Sequence, residues 1–100
     1  MKLVFEDPDI ECEVRKLGDV IVARQMLDGD WRLKMHVNGA EVHFVTMVDF
    51  ARGVADRYIT NENGRFVIIK NESGTIGLKK ESFSLENATI TFKRFTLERY

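Results

Sequence analysis

The chain has 100 residues, 44% of them apolar and 31% charged, with a net charge of −1. That is the make-up of one ordinary globular domain, read here as spanning 1–100. It holds no apolar run near the roughly 18 residues a membrane-crossing helix needs, and it lacks the strong basic excess of a typical nucleic-acid binder.

The N-terminal stretch "MKLVFEDPDIECE" turns acidic after five residues. It has no long apolar region and no small-residue cleavage site, so it is not read as a secretory signal. The single cysteine, Cys12, has no internal disulfide partner. A cytoplasmic, reducing setting is the expectation. The charge is unevenly spread. Residues 1–63 hold 8 Lys/Arg against 12 Asp/Glu, a balance of −4, and residues 64–100 hold 7 against 4, a balance of +3.

In chain order, "KLVFE" is a short candidate strand, and Pro8 marks an early turn or an edge. "IECEVRKL" (10–17) alternates Ile10, Cys12 and Val14 with Glu11, Glu13 and Arg15, a strand period that puts Cys12 on the apolar side. Gly18–Asp19 is a two-residue hairpin signal, and "VIVARQML" (20–27) follows as the returning strand. After "DGD", "WRLKMHV" (31–37) is the clearest half-buried strand. Trp31, Leu33, Met35 and Val37 alternate there with Arg32, Lys34 and His36. Asn38–Gly39 is the strongest short hairpin signal, and "EVHFV" (41–45) returns. These turns pair Val14 with Ala23, Ile10 with Leu27, Ala23 with Leu33, Ile21 with Met35, Met35 with Val42 and Leu33 with Phe44. All then share one face, as a meander requires.

"TMVDFARGVADRYI" (46–59) reads as an amphipathic helix. At about 100° per residue, Met47, Phe50, Ala51, Val54 and Tyr58 fill one half of the wheel, and Asp49, Arg52, Asp56 and Arg57 fill the other. Thr46 is its N-cap, and Asn61 and Gly64 stop it. Three further strands follow: 65–70 and 75–80 around the turn "NESG", then 88–97 with a bulge near Lys93–Arg94. No internal repeat is apparent. The fold class is α+β: a largely antiparallel meander with one helix (about 46–60) packed on it. A division into two sheets, or a partial barrel around the helix, remains open.

Chemistry is thinly marked. The Asn-Gly turn sets His36 opposite Glu41 and His43 opposite Lys34, on the polar face, so the pair is not read as a metal site. The acidic stretches lack a closed calcium loop. No nucleophile, phosphate-loop or dinucleotide motif is present. The chain is therefore read as a non-enzyme without cofactor or metal. The remaining lead is Gly53, which the wheel places outward among Asp49, Asp56 and Arg57. A glycine inside a helix costs about 0.5–1 kcal/mol relative to alanine. It is either drift or a place where something external comes close.

The expected function is a protein-binding module, of the inhibitor, immunity-type or adaptor kind. Asp49, Arg52, Gly53, Asp56 and Arg57 form its surface, and a homodimer through an edge strand is one form it can take. The alternative is a single-stranded nucleic-acid binder using Lys70, Lys79, Lys80, Lys93 and Arg94, interleaved with phenylalanines.

Overall fold

The computed structural model describes residues 1–94, which form two four-stranded sheets, a two-stranded ribbon and two short helices. β1 (Lys2–Phe5) is the expected short strand, and it pairs in parallel with the last described strand of the chain.

The next segment is a helix where alternation had suggested a strand. α1 (Pro8–Lys16) begins at Asp7, whose carboxylate accepts the N–H of Ile10 at 2.9 Å. Pro8 occupies the first turn, where its missing N–H costs nothing. Asp9 and Glu11 sit at the positive end and Arg15 and Lys16 at the negative end, as the helix dipole favours. Ile10 and Val14 are buried. They stand four apart, so the same residues satisfy both periods, and the caps decide between them. Cys12 is exposed rather than on an apolar strand face. Gly18, at φ +85°, ends the helix instead of turning a hairpin.

β2 (Val20–Val22) is only the first part of the expected strand 20–27. The side chain of Gln25 reaches back to the N–H of Val22 at 3.0 Å and starts α2 (Ala23–Asp28). The pairings of Val14, Ile10 and Ala23 across this region therefore do not form.

β3 (Trp31–Val37) forms as expected, and β4 (Ala40–Val42) covers only the start of the expected strand 41–45. Met35 pairs with Val42 and His36 with Glu41, around Asn38 and Gly39 at φ 53° and 83°. Leu33 does not meet Phe44. The chain leaves this sheet after Val42, and Phe44 takes φ +64° as it turns into the second sheet.

The helix expected over 46–60 is a hairpin. β5 (Val45–Asp49) and β6 (Val54–Tyr58) pair antiparallel across a four-residue loop, Asp49 opposite Val54. The loop does contain a single helix-like turn. Asp49 caps it by accepting the N–H of Arg52 at 3.0 Å, and the N–H of Gly53 bonds the Asp49 carbonyl. Gly53 ends it at φ +67°. Its β-branched neighbours Val45, Thr46, Val48 and Val54 suit strands better than helices. Thr46 and Val48 alternate inward, and Thr46, read as a cap, lies in the core.

β7 (Ile68–Lys70) and β8 (Ile76–Leu78) form the expected hairpin around "NESG", shorter than the sequence suggested. β9 (Lys80–Ser84), which pairs with β6, was not anticipated. β10 (Ala88–Arg94) pairs with β3 without a register shift, so no bulge interrupts Lys93–Arg94. The rest of the expected strand 88–97, Phe95 included, lies outside the described residues.

The sheets run β1-β10-β3-β4 and β2-β5-β6-β9. Met35, Ile90 and Phe92 of the first join Ile21, Val48 and Ala55 of the second, with Ile10 and Val14 of α1, in one apolar core. Mostly antiparallel sheets with small helices make the chain α+β. Among the described residues, no helix is long and apolar enough to cross a membrane.

Candidate functional site

After Tyr58 the chain leaves both sheets and returns only at Lys80. Three backbone hydrogen bonds close a ring at the exit: Ile59 donates to Lys79 at 3.1 Å, Lys79 to Val67 at 2.8 Å, and Val67 to Ile59 at 3.3 Å. Two hairpins radiate from that ring, built alike. In the first, "NENGR" (61–65), the N–H of Asn61 bonds the Arg65 carbonyl at 2.8 Å, and Asn61 Oδ1 accepts the N–H of Arg65 at 3.1 Å. In the second, "NESGT" (71–75), Asn71 makes the same two bonds with Thr75 at 3.0 and 2.9 Å. Gly64 and Gly74 hold φ +75° and +84° at equivalent places. The chain thus contains a ten-residue repeat, N-E-x-G, which corrects the reading that it has none. The asparagine side chain substitutes for a backbone acceptor in each loop.

The second hairpin is an arm of two strands that exposes aliphatic side chains. Ile68 is 67% exposed, Ile76 68%, Ile69 48% and Leu78 36%. At its base, Phe66 stands edge-on between Phe44, at 4.8 Å, and Tyr58, at 5.8 Å. Phe44 is itself 52% exposed. A bulky residue at positive φ is a backbone outlier, so this ring is held out at some conformational cost. A two-stranded hairpin is marginal in water by itself. Ile68, Ile76 and Leu78 share one face of the ribbon and Ile69 lies on the other, and exposed apolar side chains gathered on one face mark interaction sites.

The residues expected from the helix reading are divided. Asp49, Arg52 and Gly53 form the β5–β6 loop, where Asp49 Oδ2 lies 3.8 Å from Arg52 Nε. Asp56 and Arg57 are neighbours on β6, and in a strand successive side chains point to opposite faces. Asp56 accepts the Ser82 hydroxyl at 2.5 Å, and Arg57 pairs with Glu81 at 2.5 Å. No helix face unites them.

The basic residues are also divided. Lys70 lies on the arm, and Lys79 and Lys80 at its base, with Lys80 Nζ 5.4 Å from the Tyr58 ring centre. Lys93 is far along β10, opposite Arg32. Arg94 is committed internally. It bonds Asp7, Glu13 and Asp30, while its N–H bonds Glu6. The Ile10 N–H, then Arg94, hold the Asp7 carboxyl below its usual range despite partial desolvation. Asp7 and Asp30 raise the Arg94 guanidinium in turn. This cluster ties β10 to the start of α1.

His43 Nε2 lies 3.3 Å from Glu41, beside Phe44, and Lys34 reaches the same carboxylate at 3.3 Å. Glu41, His43, Phe44, Arg57, Tyr58 and Glu81 line an open cleft next to the arm's base. Sequence reasoning missed the arm's exposure because "RFVIIK" and "TIGLKK" look like core strands. The repeat of "NENG" and "NESG" was the available signal. No protein family, curated protein or solved structure matches the chain.

Proposed function

We propose that this chain is a small cytoplasmic, non-enzymatic protein-binding module, and that its contact surface is the β7–β8 arm with Phe44 and Phe66 at the base. One observation carries the reading. Four aliphatic residues, Ile68, Ile69, Ile76 and Leu78, are exposed on a ribbon that no third strand joins among the described residues. Burying them against a partner contributes about 25 cal/mol per Å² of apolar surface. The open strand edges add backbone hydrogen bonding to an extended segment. An inhibitor or adaptor role fits such a surface, because each acts by occupying another protein.

A single-stranded nucleic acid is the second reading. It is favoured by Lys79 and Lys80 beside Tyr58 and Phe66 at the same base. It is weakened by Arg94, whose guanidinium is taken up by carboxylates.

Affinity capture from the native cytosol tests the reading with three proteins. The wild type retains a partner in stoichiometric amount. Ile68→Lys/Ile76→Lys loses it while keeping the wild-type melting temperature, since both positions are exposed. Lys16→Ala, at the exposed end of α1, retains it. Capture that survives the double lysine variant moves the site elsewhere. Retention on oligothymidylate that falls steeply with salt supports the nucleic-acid reading instead.

A further inference from the structure

Of the seven glycines, five hold a positive φ, and a Cβ at Gly29 would lie 2.5 Å from Trp31 Nε1. Gly77 alone has neither reason. Its φ is ordinary for any residue, and nothing stands within 4 Å of where its Cβ would be. The equivalent position of the first hairpin is Val67, ten residues earlier. A glycine inside a strand weakens it, and often marks a place where another backbone comes close.

The backbone of the arm indicates what comes close. Val67 pairs with Lys79, and Asn71 with Thr75, by hydrogen bonds, with Ile69 opposite Gly77 between them. Alternation in an antiparallel ladder then turns the N–H and C=O of Ile76 and Leu78 outward on the β8 edge. The other edge offers Ile68 and Lys70. A lysine on an edge discourages strand addition, so β8 is the open side.

We infer that the β8 edge pairs antiparallel with β8 of a second copy of this chain, about a two-fold axis through Gly77, giving a four-stranded sheet β7-β8-β8-β7. This rests on the protein-binding reading of the arm and names its occupant. In this register Ile76 faces Leu78 of the second copy, and Leu78 faces its Ile76. The outward-pointing groups exchange hydrogen bonds there. Ile76 and Leu78 of the two copies then form a central aliphatic strip, with Ile68, which pairs with Leu78, and Lys70, which pairs with Ile76, along its outer rim on β7. Gly77 meets its own counterpart as the closely spaced, non-hydrogen-bonded pair, with Cα atoms about 4.5 Å apart. Charge agrees. Antiparallel arms lay the tip of one against the base of the other. The loop at the tip, 71–75, carries Glu72 as its one charged residue, and the base carries Lys79 and Lys80, with the neighbouring Glu81 already paired to Arg57. Such an interface is self-complementary, as two-fold symmetry demands.

The test is disulfide trapping in a Cys12→Ser background, since Cys12 is exposed and would cross-link by itself. Gly77→Cys should form a disulfide-linked dimer under mild oxidation, because about 4.5 Å between Cα atoms is within disulfide reach. Thr75→Cys, which faces Lys79 of the second copy, should not. Sedimentation equilibrium of the wild type from micromolar to millimolar should show a dimer, and Ile76→Lys should weaken it at least tenfold. A monomer throughout that range, or equal cross-linking at the two positions, overturns the pairing. A monomer whose arm still captures another protein, with capture lost in Ile68→Lys/Ile76→Lys, overturns the dimer and leaves the protein-binding reading standing.

Discussion

Gly53 ends the single turn between β5 and β6. Its place in an apparently regular pattern is odd in the sequence, and the oddity is real. Its cause is a φ of +67° in a hairpin loop, with the N–H bonded to Asp49 and the carbonyl accepting from Leu85. A left-handed conformation costs an L-residue about 1–2 kcal/mol. Gly53→Ala should therefore destabilise the chain by about that amount in urea melts, whereas a helical glycine predicts a gain; a gain would restore the helix. Asn38 and Gly39 were read correctly because their turn type depends on those two residues alone. Asp7 makes a prediction of opposite kind. Its carboxyl is held below the usual value by the Ile10 N–H and by Arg94. A group lowered on folding contributes stability above its unfolded value, near pH 4, and that contribution is lost as pH falls through the folded value. Asp7→Asn keeps a capping oxygen and removes the charge. Its melting temperature should fall below the wild type's at neutral pH and converge with it in acid. Parallel curves would mean that the charge plays no part.

At the scale of elements, the strands bounded by decisive turns were legible and the ambiguous runs were not. β3 alternates cleanly and has one period. Residues 10–17 have two. Ile10 and Val14 fit a strand at even spacing and a helix at four, and the deciding information lies outside the run, in Asp7, Pro8 and Gly18. The 46–59 run fails in the opposite direction. One capped turn at Asp49–Arg52 sits between two short strands, and together they imitate a helical stripe. β3 offers the direct check on faces. Met35 is fully buried, while Lys34 is exposed and pairs with Glu41 at 3.3 Å. Met35→Ala should cost about 2–5 kcal/mol, and Lys34→Ala less than about 0.5 kcal/mol. Equal losses in urea melts would contradict the sheet orientation.

At the scale of the whole molecule, the α+β class was legible, and the split into two sheets was one of the alternatives the sequence left open. The arm was not. Its aliphatic residues have the composition of a core strand, and local pattern does not say whether a strand finds a second layer to cover it. Among the described residues the core draws nothing from it: Ile10, Ile21, Met35, Val48, Ile90 and Phe92 are each fully buried, and none comes from residues 59–80. The arm's apolar surface is thus surplus to the fold. The proposal that it is the contact surface is tested most directly by amide hydrogen exchange, comparing the isolated chain at high dilution with the assembly captured from the cytosol. Amides of Ile68–Leu78 should exchange quickly in the dilute chain and be strongly protected in the assembly, with β3 and β10 equally protected in both. An arm that exchanges alike in the two samples, with new protection over Asp49–Gly53 instead, would contradict the account.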